Sequence, residues 1–230
     1  MSSKSQNSFF FAVVLCLIVS FSLALTANGL KNRQEINVKI DKQKNILKAL
    51  GLISSSKKYS NEQLSNIYST SVKNSFIDRI SGAIVDNNNS KNALPIFLVE
   101  KEGDVDKYAF TFKAYGLWSW IHGVIALKGD GKTIVGFTVF DHKETPGLGG
   151  EVEKKWFQDQ FINKKIVDIN NNFTSIQIAK GKAKDTYNES ELSYSIDGMS
   201  GATITSKGLE RDLKTNIKQY EVFSKKLREG

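Results

Sequence analysis

The sequence predicts an α+β protein with an antiparallel sheet flanked by helices and one N-terminal transmembrane helix. Three observations support this prediction. Residues 9–27 carry no charge, residues 94–140 contain short apolar or alternating runs, and residues 205–226 repeat apolar side chains at helical spacing. Because the strand patterns are grouped together instead of alternating with helices, the sheet is expected to be antiparallel.

The uncharged N-terminal stretch is long enough to cross a bilayer. Residues 9–27 make 19 positions, and a helix that rises about 1.5 Å per residue covers roughly the 30 Å hydrocarbon core with them. A cleaved signal peptide is the alternative, but Leu25 stands where its cleavage site needs a small residue. Only Lys4 precedes the span whereas Lys31 and Arg33 follow it, so charge bias leaves the orientation open.

The anchor divides the chain into four predicted parts. These are a cytoplasmic N-terminus at 1–8, the transmembrane helix at 9–27, a helical membrane-proximal segment at 28–92 and an α+β domain with a C-terminal helix at 93–230. The 230 residues, 40% of them hydrophobic, suffice for one sizeable core. We therefore expect a single folded domain after the anchor.

Composition and charge exclude several classes of function. The net charge of +8 comes from lysines mixed with acidic residues, without a basic cluster interleaved with aromatics, so no nucleic-acid partner is expected. Cys16 is the single cysteine, which rules out an internal disulfide. The two histidines, His122 and His142, are too few and too far apart in sequence to predict a metal site.

Two helices are predicted between the anchor and the sheet. Apolar side chains recur at helical intervals over residues 36–50, and Gly51 stands where a C-cap would end that helix. A capping-box pattern at Ser60 begins a second helix, which the apolar spacing extends to Phe76. The polar residues 86–92 then predict a surface loop.

Strand patterns follow in the second half of the chain. The predicted strands are 94–99, 108–112, 121–127, 133–140, 173–179 and 194–196. Lys-Gly-Asp-Gly at 128–131 is typical of a hairpin turn. An aromatic-rich stretch at 115–120 separates two of the strands, and the amphipathic pattern from about Thr205 to Lys226 predicts a C-terminal helix.

Two irregular stretches are candidates for function. Residues 141–152 contain three glycines and Pro146, which a regular element does not tolerate, and long shaped loops tend to carry binding sites. Residues 197–206 place small side chains before a helix, where unpaired N–H groups would favour a phosphate beside the Thr203 hydroxyl. Spacing alone leaves open the simpler interpretation that this turn is only a helix cap.

Four motifs together resemble those of the C subunits of the sodium-translocating NADH:quinone reductases. They are Tyr115-Gly-Leu-Trp-Ser119, Glu144-Thr-Pro-Gly-Leu-Gly149, Ala179-Lys-Gly-Lys-Ala183 and Asp197-Gly-Met-Ser-Gly-Ala-Thr203. The resemblance covers the N-terminal span and essentially all of the soluble part, in the family's order and spacing. The last motif resembles the flavinylation motif, whose final Thr or Ser receives FMN through a phosphoester bond from a flavin transferase that uses FAD.

The resemblance implies a membrane-anchored electron-transfer subunit that carries covalent FMN on Thr203. The other residues implied to hold the cofactor are Ser200, Gly201, Ala202, Glu144, Thr145, Gly147, Leu148, Trp118 and Asp197. Gly147 would admit a close approach of its backbone to the isoalloxazine, and Leu148 would shield the ring. Asp197 would position the acceptor hydroxyl during modification. No catalytic residue and no metal ligand is implied.

The implied partners are the other subunits of a six-subunit, Na⁺-transporting NADH:ubiquinone reductase, the flavin transferase and membrane lipid. The protein would be a single-pass component of the cell inner (cytoplasmic) membrane with its soluble domain on the periplasmic side, and it would have no complete translocase activity alone. A single anchor helix without charged residues offers no ion path, so sodium ligands are not expected in this chain.

Several alternatives stay open at this point. The G subunit of the Rnf ferredoxin:NAD oxidoreductase resembles the chain in the same loop and flavinylation motif, although Leu117-Trp118-Ser119 and Gly149-Gly150-Glu151 are more similar to the sodium pump's subunit. An assembly or tethering module whose Thr203 is never modified is another hypothesis. The Trp118 ring could stack on a flavin or only pack in the core.

Overall fold

The computed structural model of the protein describes residues 3–54, 56–85 and 91–229, with side chains from Ser8 onward. The chain divides into two compact units, Met1–Asp41 and Lys42–Gly230. Residues 1–2 of the predicted N-terminal segment and residues 86–90 of the predicted polar loop lie outside the described residues.

The described residues of the N-terminal unit form a helix, which carries no charged residue between Ser5 and Leu30. This helix, α1, spans Ser3–Ala49, so its last turns belong to the second unit. The segment Ser8–Ala49 contains an 18-residue window of mean hydropathy 2.6, none of it buried, and is the one candidate membrane span in the part of the chain that the structure describes. Phe9 is 73% exposed. The predicted N-terminal helix is confirmed, with the length and composition of a transmembrane segment.

The helix predicted at 36–50 continues the anchor helix without a break. No proline interrupts residues 28–48, and a single glycine such as Gly29 costs a helix only about 1 kcal/mol. The helix ends at Ala49, after which Gly51 adopts a φ of 68° and donates a hydrogen bond to the Lys48 carbonyl. The predicted glycine C-cap is confirmed.

Helix α2, Asn61–Ser71, begins at the predicted capping box. The Ser60 hydroxyl accepts a hydrogen bond from the Gln63 N–H at 3.2 Å, and the Gln63 side chain accepts one from the Ser60 N–H at 2.9 Å. These two bonds satisfy N–H groups that a helix start otherwise leaves unpaired.

The sheet begins earlier in the chain than predicted. Strands β1, Lys73–Asp78, and β2, Ile84–Val85, lie within the interval 28–92 that was predicted to be helical. Ser75 and Ile77 are buried while the residues between and beside them are more exposed, so this stretch follows the period of a strand. The predicted extension of the helix to Phe76 is therefore wrong, and the interval 28–92 is helical only in its first part, up to the end of α2.

The central strands agree with the prediction. They are β3 Ala93–Lys101, β4 Asp104–Tyr115, β5 Trp120–Lys128 and β6 Ile134–Asp141. Together with the first two strands they form one antiparallel sheet in the order β2-β1-β3-β4-β5-β6. The predicted hairpin turn at 128–131 joins β5 to β6, with Gly131 at a φ of 66°. The predicted α+β class with an antiparallel sheet is confirmed.

Short elements and two helices complete the chain. They are α3 Lys155–Gln158, β7 Gln177–Ile178, β8 Ser195–Ile196, α4 Thr203–Gln219 and α5 Glu221–Glu229. The strand predicted at 173–179 shrinks to two residues, and β7 and β8 pair in parallel. The single C-terminal helix predicted from the periodicity is two helices, because the regular hydrogen-bond pattern ends at Tyr220, whose N–H donates to the carbonyls of Ile217 and Lys218, three and two residues earlier.

Helix α4 packs across the sheet and positions the candidate site. Its fully buried side chains are Leu209, Leu213 and Ile217. Beyond its end, Tyr220 stacks on Phe110 with ring centroids 3.8 Å apart. Gly208 permits a close approach to β4, because a Cβ at that position would lie 2.0 Å from the Tyr115 carbonyl oxygen. The start of α4 is thereby held beside the end of β4.

Candidate functional site

The end of β4, the loop after β6 and the first turn of α4 enclose a cleft of about 400 Å³. The lining residues are Leu117, Trp118, Glu144, Thr145, Leu148, Gly149, Gly201, Ala202, Thr203, Ile204 and Thr205. Small-molecule sites in proteins usually measure roughly 300–1,000 Å³ and combine apolar walls with a few polar groups. This cleft has both properties.

The cleft brings together seven of the ten residues that the sequence singled out. They are Trp118, Glu144, Thr145, Leu148, Gly201, Ala202 and Thr203. The other three, Gly147, Ser200 and Asp197, do not line the cleft, although other residues of the same loops do.

Gly147 has a conformational reason to be glycine. Its φ is 76°, in the left-handed region, and a Cβ there would meet no protein atom within 4 Å. The turn is closed by the Leu148 N–H, which donates to the Thr145 carbonyl at 3.1 Å. The glycine therefore shapes the loop that carries Leu148, and its contact with a cofactor stays a prediction.

Asp197 orders the chain that leads into α4. Its carboxylate accepts a hydrogen bond from the Ala183 N–H at 2.7 Å, and its own N–H donates to the Gln160 side chain at 2.9 Å. The next residue, Gly198, donates to the Gly181 carbonyl at 2.9 Å. These contacts join the third and fourth sequence motifs. A role of Asp197 toward the Thr203 hydroxyl stays a prediction.

Thr203 is the first residue of α4, and its side chain is exposed at the cleft. The N-cap is Ala202, which offers no side-chain hydrogen bond, and the first turn contains no acidic residue. Neither Ser200 nor Thr203 caps the helix, so the interpretation of this turn as a simple cap is not supported. Unpaired N–H groups and the positive end of the helix dipole favour an anion at this position.

The glycine before the N-cap matches the local geometry. Gly201 adopts a φ of 70°, and a Cβ there would lie 2.8 Å from the Leu148 Cδ2 atom. A larger residue would therefore be strained and would press against the loop after β6. Glycine keeps the two walls of the cleft close together.

Glu144 is buried at the bottom of the cleft, with 5% of its surface exposed. Its carboxylate accepts hydrogen bonds from the N–H groups of Leu117, Trp118 and Ser119 at 3.1, 2.9 and 3.2 Å. A fourth bond comes from the Thr205 hydroxyl at 2.7 Å. Burial raises the pKa of this carboxyl, but these four hydrogen bonds outweigh it, and the net pKa lies below the usual value.

The aromatic loop presents large side chains to the solvent. Trp118 is 66% exposed and Leu117 is 45% exposed, so core packing does not explain either of them. At the two ends of this loop, Tyr115 and Trp120 pack edge-to-face with ring centroids 5.0 Å apart. The open alternative of Trp118 as a core residue is thereby excluded, while its contact with a flavin stays a prediction.

The histidines lie outside the cleft lining. The His142 Nε2 atom is 3.3 Å from the Glu153 carboxylate, and its Nδ1 atom accepts from the Glu144 N–H at 3.1 Å. His122 lies 3.2 Å from the Asp141 carboxylate. His142 thus supports the loop that carries Glu144.

Sequence reasoning missed four lining residues. They are Leu117, Gly149, Ile204 and Thr205. Leu117 and Gly149 lie inside motifs that were recognised, so their position next to predicted site residues could have identified them. Thr205 is important because it is 1% exposed and bonds to a residue 61 positions away. No local pattern in the sequence indicates such a contact.

Comparisons with known proteins show which family this chain resembles. Residues 116–218 match the family model described as "FMN-binding domain". The chain is 32% identical over 250 residues to the C subunit of the Na(+)-translocating NADH-quinone reductase of Yersinia pestis, covering 95% of this chain and 91% of the relative. It is 30% identical to the C subunit of the same reductase from Pseudomonas aeruginosa, covering 95% and 94%. The crystal structure of the corresponding C subunit from Parabacteroides distasonis superposes with a TM-score of 0.71 at 27% identity, over 85% of this chain and 96% of that one.

Proposed function

Because this chain belongs to the family formed by the C subunits of Na(+)-translocating NADH-quinone reductases, we propose that it relays electrons in such a complex through FMN linked to Thr203. Its relatives and its FMN-binding domain support an FMN-binding subunit of this reductase. The observation that carries the proposal of a covalent link is the exposed Thr203 hydroxyl at the uncapped start of α4, on the edge of the cleft.

The residues around the cleft fit FMN. The positive end of α4 suits a phosphate on Thr203. The apolar side chains of Leu117, Trp118 and Leu148 suit a flat aromatic ring, and Thr145 adds a hydroxyl. The cofactor, when bound, supplies the redox chemistry, while these residues hold it, exclude water and set its surroundings.

Attachment of the cofactor is a group transfer from FAD. The Thr203 oxygen attacks the phosphorus on the FMN side of the pyrophosphate, a P–O bond forms to threonine, and the P–O bond to the second phosphate breaks. AMP leaves, and the hydroxyl proton passes to a base of the flavin transferase. No base within this chain is required, which is consistent with the placement of Asp197 on Ala183.

A covalent link suits the compartment that we propose. The soluble domain would lie on the periplasmic side of the cytoplasmic membrane, anchored in lipid by α1, and the protein would assemble with the other five subunits. A cofactor held by affinity alone is lost when its free concentration falls below the dissociation constant. The phosphoester removes that dependence on free FMN.

In-gel fluorescence tests the attachment. We expect the full chain, co-expressed with a flavin transferase, to give a fluorescent band after denaturing electrophoresis, and Thr203→Ala to give none. Thr215→Ala is the matched control, because Thr215 is an exposed threonine on the same helix, remote from its first turn. A fluorescent Thr203→Ala band, or a dark wild-type band at full transferase activity, would contradict the proposal.

A further inference from the structure

One buried carboxylate connects the three segments that form the cleft. Glu144 belongs to the loop after β6, its amide donors belong to the loop after β4, and Thr205 belongs to the first turn of α4. In sequence these partners are 25–27 and 61 residues from Glu144. The Glu144 side chain is therefore the point at which the walls of the cleft meet.

Only a carboxylate satisfies this arrangement. Two donors converge on each oxygen: Trp118 and Ser119 on Oε1, Leu117 and Thr205 on Oε2. Three of the four are backbone N–H groups, which cannot reverse their polarity. An amide in place of the carboxylate would direct an NH₂ group at one or two of them.

Two glycines leave the space that this carboxylate occupies. A Cβ at Gly116 would lie 2.6 Å from the Glu144 Oε1 atom, and a Cβ at Gly149 would lie 2.6 Å from Oε2. The latter would also lie 2.7 Å from the Thr205 hydroxyl. The aromatic motif at 115–119 and the motif at 144–149 are thus both shaped around the Glu144 side chain.

We propose that Glu144 is a positioning residue for the cofactor site, which fixes the first turn of α4 and the aromatic loop relative to each other. It acts through Thr205 and through the backbone of Leu117–Ser119. Because its four acceptor positions are taken by protein donors, it holds the site and does not exchange protons with the cofactor. The part of this inference that concerns flavin rests on the proposed function; the coupling of the segments does not.

Amide hydrogen exchange on the flavin-free full chain tests the coupling. In Glu144→Gln we expect exchange to rise roughly tenfold or more at Leu117–Ser119, as for a lost hydrogen bond to a charged group. We also expect it to rise at Ser206, whose N–H donates to the Ala202 carbonyl in the first turn of α4. Glu189→Gln, at an exposed glutamate, is the control and should change neither.

Flavin spectroscopy on the modified chain tests the positioning. Thr205→Val removes the hydrogen bond from the Thr205 hydroxyl to Glu144 and keeps the side-chain shape, whereas Thr205→Ser keeps a hydroxyl that can donate this bond. We expect the visible circular dichroism of the flavin and its midpoint potential to change in Thr205→Val and to return to wild type in Thr205→Ser. Thr174→Val is the control, because the Thr174 hydroxyl is buried without a hydrogen-bond partner among the described residues.

The outcomes separate this inference from the proposed function. Unchanged exchange at Ser206 in Glu144→Gln would overturn the coupling. A lower melting temperature in Thr205→Val with an unchanged flavin signal would also overturn the inference, since it would leave Glu144 a merely structural role. A wild-type chain that never acquires flavin would contradict the proposed function, and the exchange result would then decide the coupling by itself.

Discussion

Replacing Gly208 with alanine should destabilise the domain, although helix propensity alone predicts the opposite. Alanine in the interior of a helix is favoured over glycine by about 1 kcal/mol. At Gly208, however, the added Cβ would lie 2.0 Å from the carbonyl oxygen of Tyr115 and 3.2 Å from its carbonyl carbon. Both are backbone atoms of β4 and cannot rotate away.

The expected cost follows from how far α4 must move. A carbon and an oxygen atom that are not bonded need more than about 3 Å, so the helix must shift by roughly 1 Å from the sheet or the strand must bend. Overpacking of a core costs about 1–3 kcal/mol, and a contact with fixed backbone lies at the upper end. After subtraction of the gain in helix propensity, we expect a net loss of about 2 kcal/mol.

Thermal unfolding of the full chain in detergent measures this loss. For a domain of this size, about 2 kcal/mol corresponds to a decrease in melting temperature of roughly 4–8 °C. Gly181→Ala is the control, because a Cβ there would meet no atom within 4 Å and φ is not in the left-handed region. If Gly208→Ala is as stable as the wild type or more stable, α4 does not pack against the Tyr115 backbone as described. The position of Thr203 beside the cleft would then be contradicted as well.

Three further predictions concern the hydrogen bonds of single side chains. Because the pKa of Glu144 is lowered by folding, its contribution to the free energy of unfolding is present above the pKa of the unfolded chain and is lost as pH falls through the folded pKa. In urea titrations, the difference in unfolding free energy between wild type and Glu144→Gln should be full at neutral pH and shrink below about pH 4. A difference that grows in acid would refute the lowered pKa. Ser60→Ala should lower the free energy of unfolding by about 1 kcal/mol through loss of the capping box, measured by the same titration at neutral pH. An unchanged urea midpoint would show that the capping box does not contribute to stability. Tyr220→Phe should cost about 1 kcal/mol, because it removes the 2.9 Å hydrogen bond to the Pro95 carbonyl and keeps the ring stacked on Phe110; a loss above about 3 kcal/mol would mean that the ring packing had changed as well.

Local signals account for the elements that the sequence predicted correctly. The uncharged N-terminal run, the capping box at Ser60, the glycine C-cap at Gly51 and the hairpin turn at 128–131 each depend on a few neighbouring residues. The strands between 94 and 140 stand out as short apolar runs because both faces of the sheet are buried there; in β5, for example, every residue from Gly123 to Leu127 is buried. Such features are visible in any short window of the sequence.

Tertiary contacts decided the elements that were mispredicted. Residues 73–78 have apolar spacing compatible with a helix, and pairing with β3, Phe76 opposite Pro95 for example, makes them a strand. The break at Tyr220 lies where its ring stacks on Phe110, 110 positions earlier in the chain. The spacing of apolar residues is similar on both sides of the break, so the sequence pattern did not indicate where the helix ends.

The candidate site was predicted as a set of residues and not as an arrangement. The motifs identified Thr203 and the loop around Glu144, and the structure brings both to one cleft. The contacts of Asp197 with Ala183, and of Glu144 with Thr205, join segments that are far apart in sequence. Their roles therefore became visible only once the chain was folded.

Intact mass combined with peptide mapping of protein purified from its native membrane tests the central claim most directly. We predict a mass equal to the polypeptide plus FMN less one water, with the added group on the peptide that contains Thr203. A mass equal to the bare polypeptide, or a flavin located on any other residue, would contradict the proposed function.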